Sequence, residues 1–165
     1  MKRFFKIFFG VILIILILFQ FYPRSNNNLG SGISVNDITF HHNVPNQVQQ
    51  LLETSCYDCH SNNTFYPWYA KIQPVSLWLS NHISEGKSEL NFSEFGNYSL
   101  RRQYKKLEEI NDQVKEGEMP LTSYTLIHRN AKLSPEQKLA IATWVTALRD
   151  SFKSNYPPDS LQRKK

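Results

Sequence analysis

The stretch LLETSCYDCHSNNTFYPWY, residues 51–69, contains the only two cysteines of this 165-residue chain. Cys56 and Cys59 are separated by two residues, and His60 follows directly. A helical pattern of apolar residues begins after Pro45, a residue suited to a first helical turn, and leads into Cys56. The stretch therefore predicts two thiols one helical turn apart with an imidazole beside them, and the remaining sequence has to be arranged around that group.

The spacing C-x-x-C-H predicts covalent attachment of haem. Each thiol adds to one vinyl group of the same porphyrin, forming two thioethers, and the imidazole of His60 reaches the iron as the proximal ligand. Three alternatives remain open. A thiol–disulfide pair usually occurs in a βαβ context, a structural disulfide would close a very short loop, and zinc would need further ligands from His41, His42, His82 or His128.

The rest of the sequence predicts an all-α domain of about four helices, because no long run alternates in the manner of a strand. Residues 74–87 predict a helix that turns one apolar face inward and ends at Gly86. That face consists of Val75, Trp78, Leu79, His82 and Ile83. A further helix runs between Ser99, a candidate N-cap, and Gly117, a candidate stop.

The last predicted helix has the clearest start signals. Ser134 is the expected cap, Pro135 occupies the first turn, and Gln137 completes a capping box. The expected apolar stripe has Trp144 beside it and consists of Leu139, Ala142, Val145, Leu148 and Phe152.

The N-terminus MKRFFKIFFGVILIILILFQFYP has three positive charges followed by a long apolar run. We predict an uncleaved transmembrane anchor over residues 1–24, in the cytoplasmic (inner) membrane, with the remaining chain facing the periplasm. A cleaved export signal is the alternative. Residues 25–37 are predicted as a flexible spacer, residues 38–152 as the haem-binding domain and residues 153–165 as a polar tail.

The net charge of +5 comes from the two ends of the chain. Residues 25–162 contain 12 Lys and Arg against 14 Asp and Glu, so the body is slightly acidic. No basic stripe is evident, which argues against nucleic acid as a partner. A basic turn of Arg101, Arg102, Lys105 and Lys106 is most simply a solvated face, with haem propionates as the alternative partner.

Two segments carry a resemblance to a known family. Residues 56–95, CYDCHSNNTFYPWYAKIQPVSLWLSNHISEGKSELNFSEF, and residues 117–144 resemble the haem-binding domain family of single-haem c-type-cytochrome-like proteins, many of them membrane-anchored in bacteria. The resemblance covers about residues 38–148 and implies a cytochrome-c-like helical fold, covalent haem c, a redox role and redox partner proteins. The Gly-Pro-Leu of ordinary cytochromes c, whose proline carbonyl holds the proximal histidine, is missing. Pro67 or Pro74 is the expected substitute.

The sixth iron ligand is predicted to be Met119, the only methionine after the first residue. It follows a helix stop and precedes a proline, as the distal methionine does in the cytochromes c that this segment resembles. A thioether ligand suits low-spin electron transfer at a raised potential. His82, on the predicted inward face, is the alternative distal ligand, and His128 is a further one.

These features predict a single-haem c-type cytochrome that transfers electrons in the periplasm and needs no small-molecule substrate. The chain is expected to be an electron carrier rather than an enzyme. The alternative is a haem-based redox or gas sensor with a weak or open sixth coordination site. Trp68, Trp78 and Trp144 are expected to wall the haem.

Overall fold

The computed structural model describes residues 2–30 and 32–162, and this part of the chain is all-α, as predicted. The α-helices are α1 (Lys2–Phe19), α2 (Ile38–His41), α3 (Asn46–Ser55), α4 (Tyr57–His60), α5 (Val75–Glu89), α6 (Leu100–Glu116), α7 (Thr122–Ile127), α8 (Pro135–Asn155) and α9 (Pro158–Leu161). Short 3-10 helices cover Trp68–Lys71, Phe92–Asn97 and Arg129–Ala131. The four longer helices after residue 38 are the four that the sequence predicts.

The core lies between α6 and α8, which pack against each other along most of their length. Its side chains from α6 recur at helical spacing, and Ile110 is turned inward. Burying an aliphatic or aromatic side chain of this size contributes about 1.5–3 kcal/mol. The buried residues of these two helices are Tyr104, Leu107, Ile110, Val114, Ile141, Trp144, Val145 and Phe152.

The predicted helix ends around α6 and α8 are confirmed. The Ser99 hydroxyl accepts a hydrogen bond from the backbone N–H of Arg102, and Gly117 ends α6 with φ at +82°, a left-handed conformation that favours glycine. Ser134 and Gln137 form the reciprocal capping box at the start of α8. These local signals fix where both core helices begin and where α6 stops.

The apolar stripe of α8 is rotated relative to the prediction. Leu139 is 67% exposed, whereas Ile141 and Trp144 are buried. The indole N–H of Trp144 donates a 3.1 Å hydrogen bond to the carbonyl of Asn43. A buried indole N–H needs such an acceptor, and turning Trp144 inward carries Leu139 to the opposite face.

The inward face of α5 is also rotated. Its buried residues are Ser76, Leu79, Ser80 and Ile83. Trp78 and Val75 are among the exposed apolar residues. Small serines on the buried face let α5 approach its neighbours closely.

The N-terminal run does form a helix, α1, which buries none of its side chains. Within residues 2–30 and 32–162, no helix has the length and apolar character needed to cross a membrane. The predicted transmembrane anchor is therefore not supported. The physical reason is that α1 ends at Phe19 and includes Lys2, Arg3 and Lys6. Its uncharged part, residues 7–19, covers roughly 20 Å of a hydrocarbon layer about 30 Å thick.

Part of the predicted spacer is hydrogen-bonded to the domain. The side chain of Asn27 donates to the carbonyl of Ser80 at 2.7 Å, and Asn28 exchanges two hydrogen bonds with the backbone of Thr64. The predicted tail also contributes to packing, because Leu161 in α9 is buried against the core. Ordered contacts therefore continue on both sides of residues 38–152.

Candidate functional site

The C-x-x-C-H segment forms a tight helical turn at the junction of α3 and α4. Cys56 ends α3, and its carbonyl accepts hydrogen bonds from the backbone N–H groups of Cys59 at 3.1 Å and of His60 at 2.9 Å. The segment therefore has the predicted helical geometry. Cys56 is packed against the main core, and this fixes the position of the turn.

Gly86 allows α5 to lie directly on this turn. It was predicted as the end of α5, but the helix continues through it to Glu89. A Cβ at Gly86 would lie 3.0 Å from the carbonyl oxygen of Cys59 and 3.4 Å from Cε1 of His60. The glycine is thus a close-approach position in the middle of a helix, and the sequence signal for a helix stop was misleading.

The imidazole of His60 is oriented by a backbone carbonyl. Its Nδ1 lies 2.9 Å from the carbonyl oxygen of Leu90, just after α5. A carbonyl only accepts, so Nδ1 carries the proton and Nε2 keeps its lone pair. The carbonyl of Leu90 therefore accepts the hydrogen bond from the histidine that was expected to go to Pro67 or Pro74. Burial lowers the pKa of His60, against a smaller opposing effect of its backbone hydrogen bonds, which favours the neutral, ligating form.

A cavity of about 330 Å³ lies beside His60, within the usual size range of cofactor pockets. His60, Cys56 and Met119 all line it. Cys59 does not, because it packs on the other side of α4 against Leu79 and its neighbours. The remaining lining residues are Glu89, Leu90, Phe92, Lys106, Glu109, Ile110, Gln113 and Val114.

Met119 is positioned by the end of α6. The carbonyl of Gln113 accepts hydrogen bonds from three successive backbone N–H groups, those of Gly117, Glu118 and Met119, at 3.0–3.2 Å. The left-handed turn at Gly117 reverses the chain so that Met119 returns to the cavity. The structure thus places a soft thioether and a neutral imidazole on one cavity, a donor pair that suits haem iron.

One charged cluster forms part of the cavity wall. The ammonium of Lys106 lies 2.6 Å from Glu109 and 3.2 Å from Glu89, and its side chain is only 12% exposed. Burial alone would lower the pKa of Lys106, but the bonds to both glutamates outweigh it and raise that pKa. Of the four residues in the predicted basic turn, only Lys106 lines the cavity.

The alternatives to haem find little support in the structure. Both cysteines are free, so no disulfide joins them. Burial raises the pKa of Cys56 to about 12 and that of Cys59 to about 11, whereas a reactive redox thiol has a lowered pKa. Zinc would need several ligands together, and no cluster of three or more His, Cys, Asp or Glu occurs among the described residues.

Several predicted residues lie away from the cavity. His82 does not line it; its Nδ1 lies 3.0 Å from the carbonyl of Trp78, and its ring packs on that indole. Trp68 and Trp78 are exposed, and Trp144 belongs to the core, so the expected tryptophan wall around the haem is wrong. His42 does not line the cavity either, and its Nε2 lies 3.1 Å from the side-chain oxygen of Gln103.

A second polar group, which we call the aspartate network, lies on the other side of α4. The carboxylate of Asp58 accepts hydrogen bonds from the hydroxyl of Tyr124 at 2.7 Å and from the backbone N–H of Phe65 at 3.2 Å. The ring of Tyr124 stacks on His128, whose Nε2 lies 2.7 Å from the hydroxyl of Tyr69. The sequence offered one signal for it, an ionisable residue between the two cysteines.

An apolar cavity that presents a neutral imidazole and a thioether defines the class of a candidate haem-binding domain. A family model described as a haem-binding domain matches residues 14–147, most of the chain. The protein therefore belongs to this haem-binding domain family, which confirms the resemblance seen in the sequence. No curated protein and no solved structure matches the chain significantly.

Proposed function

We propose that the protein is a single-haem c-type cytochrome that carries electrons. The observation that carries this proposal is the convergence of Cys56, His60 and Met119 on one cavity. In the proposed site, the thiols of Cys56 and Cys59 would attach the haem covalently, and His60 and Met119 would supply the iron ligands. The side chain of Cys59 would then turn from the Leu79 cluster towards the cavity. Bound there, haem iron would supply one-electron chemistry by alternating between ferrous and ferric states.

The chain's own residues support this role by fixing the ligands in advance. The carbonyl of Leu90 holds the ring of His60 and keeps its Nε2 available, so little reorganisation is needed when the ligand is used. Phe92, Ile110 and Val114 give part of the cavity wall an apolar surface. A preformed ligand set favours outer-sphere electron transfer over binding of a substrate.

We further propose that the domain operates outside the cytoplasm, in the periplasm. Support comes from the basic N-terminus followed by an apolar run, a pattern typical of export signals. The proposed partners are redox proteins, and no small-molecule substrate is required. The test is to isolate the protein from the periplasm of a host that matures c-type haem.

The test of the site compares the Met119→Ala and His82→Ala variants with the parent in that host. Haem staining after denaturing electrophoresis should label all three proteins, because attachment depends on the cysteines. The weak far-red band of methionine-ligated ferric haem should disappear in Met119→Ala alone.

Two results would contradict the proposal. Absence of covalent haem in the parent would remove the cytochrome function. Retention of the far-red band in Met119→Ala would remove Met119 as ligand, and rapid carbon monoxide binding by the reduced parent would then favour the sensor alternative.

A further inference from the structure

We propose that an exposed apolar face on the aspartate-network side of α4 docks a protein partner whose own apolar contact area is bordered by carboxylates. The face, which we call the docking face, consists of four side chains from residues 65–71 and 122–129: Phe65, Trp68, Leu126 and Ile127. Its role as an electron-transfer surface rests on the proposed function, whereas its binding of such a partner does not.

The four side chains are largely exposed to solvent. Phe65 is 75% exposed, Trp68 74%, Leu126 72% and Ile127 62%. Single exposed apolar residues are normal on protein surfaces, but several on adjoining segments indicate an interaction surface. Aromatic residues are also enriched where protein partners bind.

The two segments are held side by side rather than hanging free. The Asp58 carboxylate bonds to the backbone of Phe65 in one segment and to Tyr124 in the other. Tyr69 and His128 join the same segments a second time, at 2.7 Å. The docking face therefore rests on a hydrogen-bonded base, so little conformational entropy is lost when a partner binds.

The charge of the docking face indicates the chemistry of its partner. Residues 65–71 and 122–129 contain no carboxylate, and their permanently charged groups are Lys71 and Arg129. Both are exposed, and neither forms an ion pair within residues 2–30 and 32–162. A complementary partner carries carboxylates around an apolar centre, which steers association and fixes orientation.

A protein partner fits better than a lipid surface. Electrostatic binding to anionic membranes usually relies on clusters of four or more basic residues, and residues 65–71 and 122–129 contain only Lys71 and Arg129 as permanent cations. In addition, a series of ring contacts leads inward from Trp68 through Tyr69, His128 and Tyr124, with centroid distances of 5.9, 6.1 and 4.4 Å. The series ends at Asp58, between the two cysteines. Such a series of rings could connect a bound redox protein to a redox centre, whereas binding to a lipid surface would not require it.

The experiment measures binding without depending on electron transfer. The probe is an acidic blue-copper protein loaded with zinc, which is redox-inert, added to the isotopically labelled full chain. We expect backbone amide resonances of residues 65–71 and 122–129 to shift. The double variant Lys71→Glu/Arg129→Glu should weaken the affinity by about tenfold or more, and Leu126→Ser by several-fold.

A matched control is Leu139→Ser, which replaces an equally exposed leucine on α8, outside the docking face. It should leave the affinity unchanged. Equal affinities in all variants, shifts confined to the cavity residues, or absence of any binding would overturn the proposal. A different result is liposome binding by the parent that is lost in Leu126→Ser, together with no binding of the copper protein. That result would show that the face binds a membrane and not a protein partner.

The experiment can contradict the cytochrome proposal and the docking-face proposal independently of each other. If the parent lacks covalent haem but its docking-face resonances still shift, the cytochrome function is wrong and the docking face stands. If haem is attached and a small neutral reductant reduces every variant at the same rate, the variants have kept their redox centre. Any difference with the copper-loaded probe then reports docking alone.

Discussion

The two sides of α4 treat their histidines differently. On the cavity side, His60 lines the cavity, and its Nδ1 lies 2.9 Å from the carbonyl oxygen of Leu90. On the opposite side, His128 has its Nε2 bonded to Tyr69 and its ring stacked on Tyr124. The first arrangement prepares a ligand and the second prepares a rigid support. Sequence spacing alone does not tell these two kinds of histidine apart, because the difference lies in the groups that contact each ring.

Replacing each histidine in turn tests this comparison most directly. His60→Ala should abolish the six-coordinate low-spin spectrum of the loaded protein, because it removes the proposed proximal ligand. His128→Ala should retain that spectrum and lose only stability, by roughly 1–2 kcal/mol, from the missing hydrogen bond. Absorption spectra of the purified variants distinguish the two. A normal spectrum in His60→Ala would mean that the cavity is not the iron site.

The close contact between α5 and α4 is the next target. Gly86→Val should destabilise the domain by about 1–3 kcal/mol, because the added atoms would overlap the carbonyl of Cys59 and the ring of His60. Thermal unfolding measures this loss. Gly10→Val is the matched control, since a Cβ at Gly10 in α1 meets nothing within 4 Å. Equal unfolding temperatures for the two variants would show that α5 does not pack as described.

The aspartate network predicts a smaller effect. Tyr124→Phe removes the hydroxyl that donates to Asp58 and should cost about 1–2 kcal/mol, because a partly buried carboxylate loses one of its two donors. Tyr156→Phe on the far side of the core serves as the control. Denaturant unfolding of both variants is the measurement. A cost in Tyr124→Phe no greater than in the control would mean that the network does not stabilise the docking face.

A pH effect, the smallest of the four, concerns His42 at the end of α2. Burial lowers the pKa of His42 below its ordinary value of 6.5, with the bond to Gln103 opposing the shift. The unfolded chain therefore binds the proton more readily than the folded one. Stability is then full above pH 6.5 and declines as the pH falls from there towards the folded-state pKa.

His42→Gln tests this pH effect, because it keeps polar character without a titrating group. Unfolding free energies measured between pH 7.5 and pH 5 should decline less steeply in the variant than in the parent. Identical slopes would show that His42 is protonated equally well in the folded chain.

Local chemistry explains which parts of the fold were predictable. The start of α8, the two ends of α6 and the α6 core face depend on caps, a left-handed glycine and helical spacing, all of which are written in adjacent residues. The faces of α5 and α8 were predicted with the wrong rotation. Their orientation depends on distant partners, such as the carbonyl of Asn43 for Trp144.

The candidate site shows the same limit. Cys56, His60 and Met119 were found because their residue types and spacing are specific, and they line one cavity. The carbonyl of Leu90 and the close approach at Gly86 were missed, because every residue has a carbonyl and a glycine in a helix pattern usually marks its end. Contacts made by backbone atoms leave almost no trace in a sequence.

The triple hydrogen bond to the carbonyl of Gln113 sets a fixed distance along the chain. Since Gly117 and Met119 are both tied to that one oxygen, a single residue must separate the helix-ending glycine from the methionine. One inserted residue between them would carry the thioether out of the cavity even if every other residue were kept. The spacing G-x-M at the end of α6 therefore keeps Met119 at the cavity, and the proposed methionine ligation depends on it.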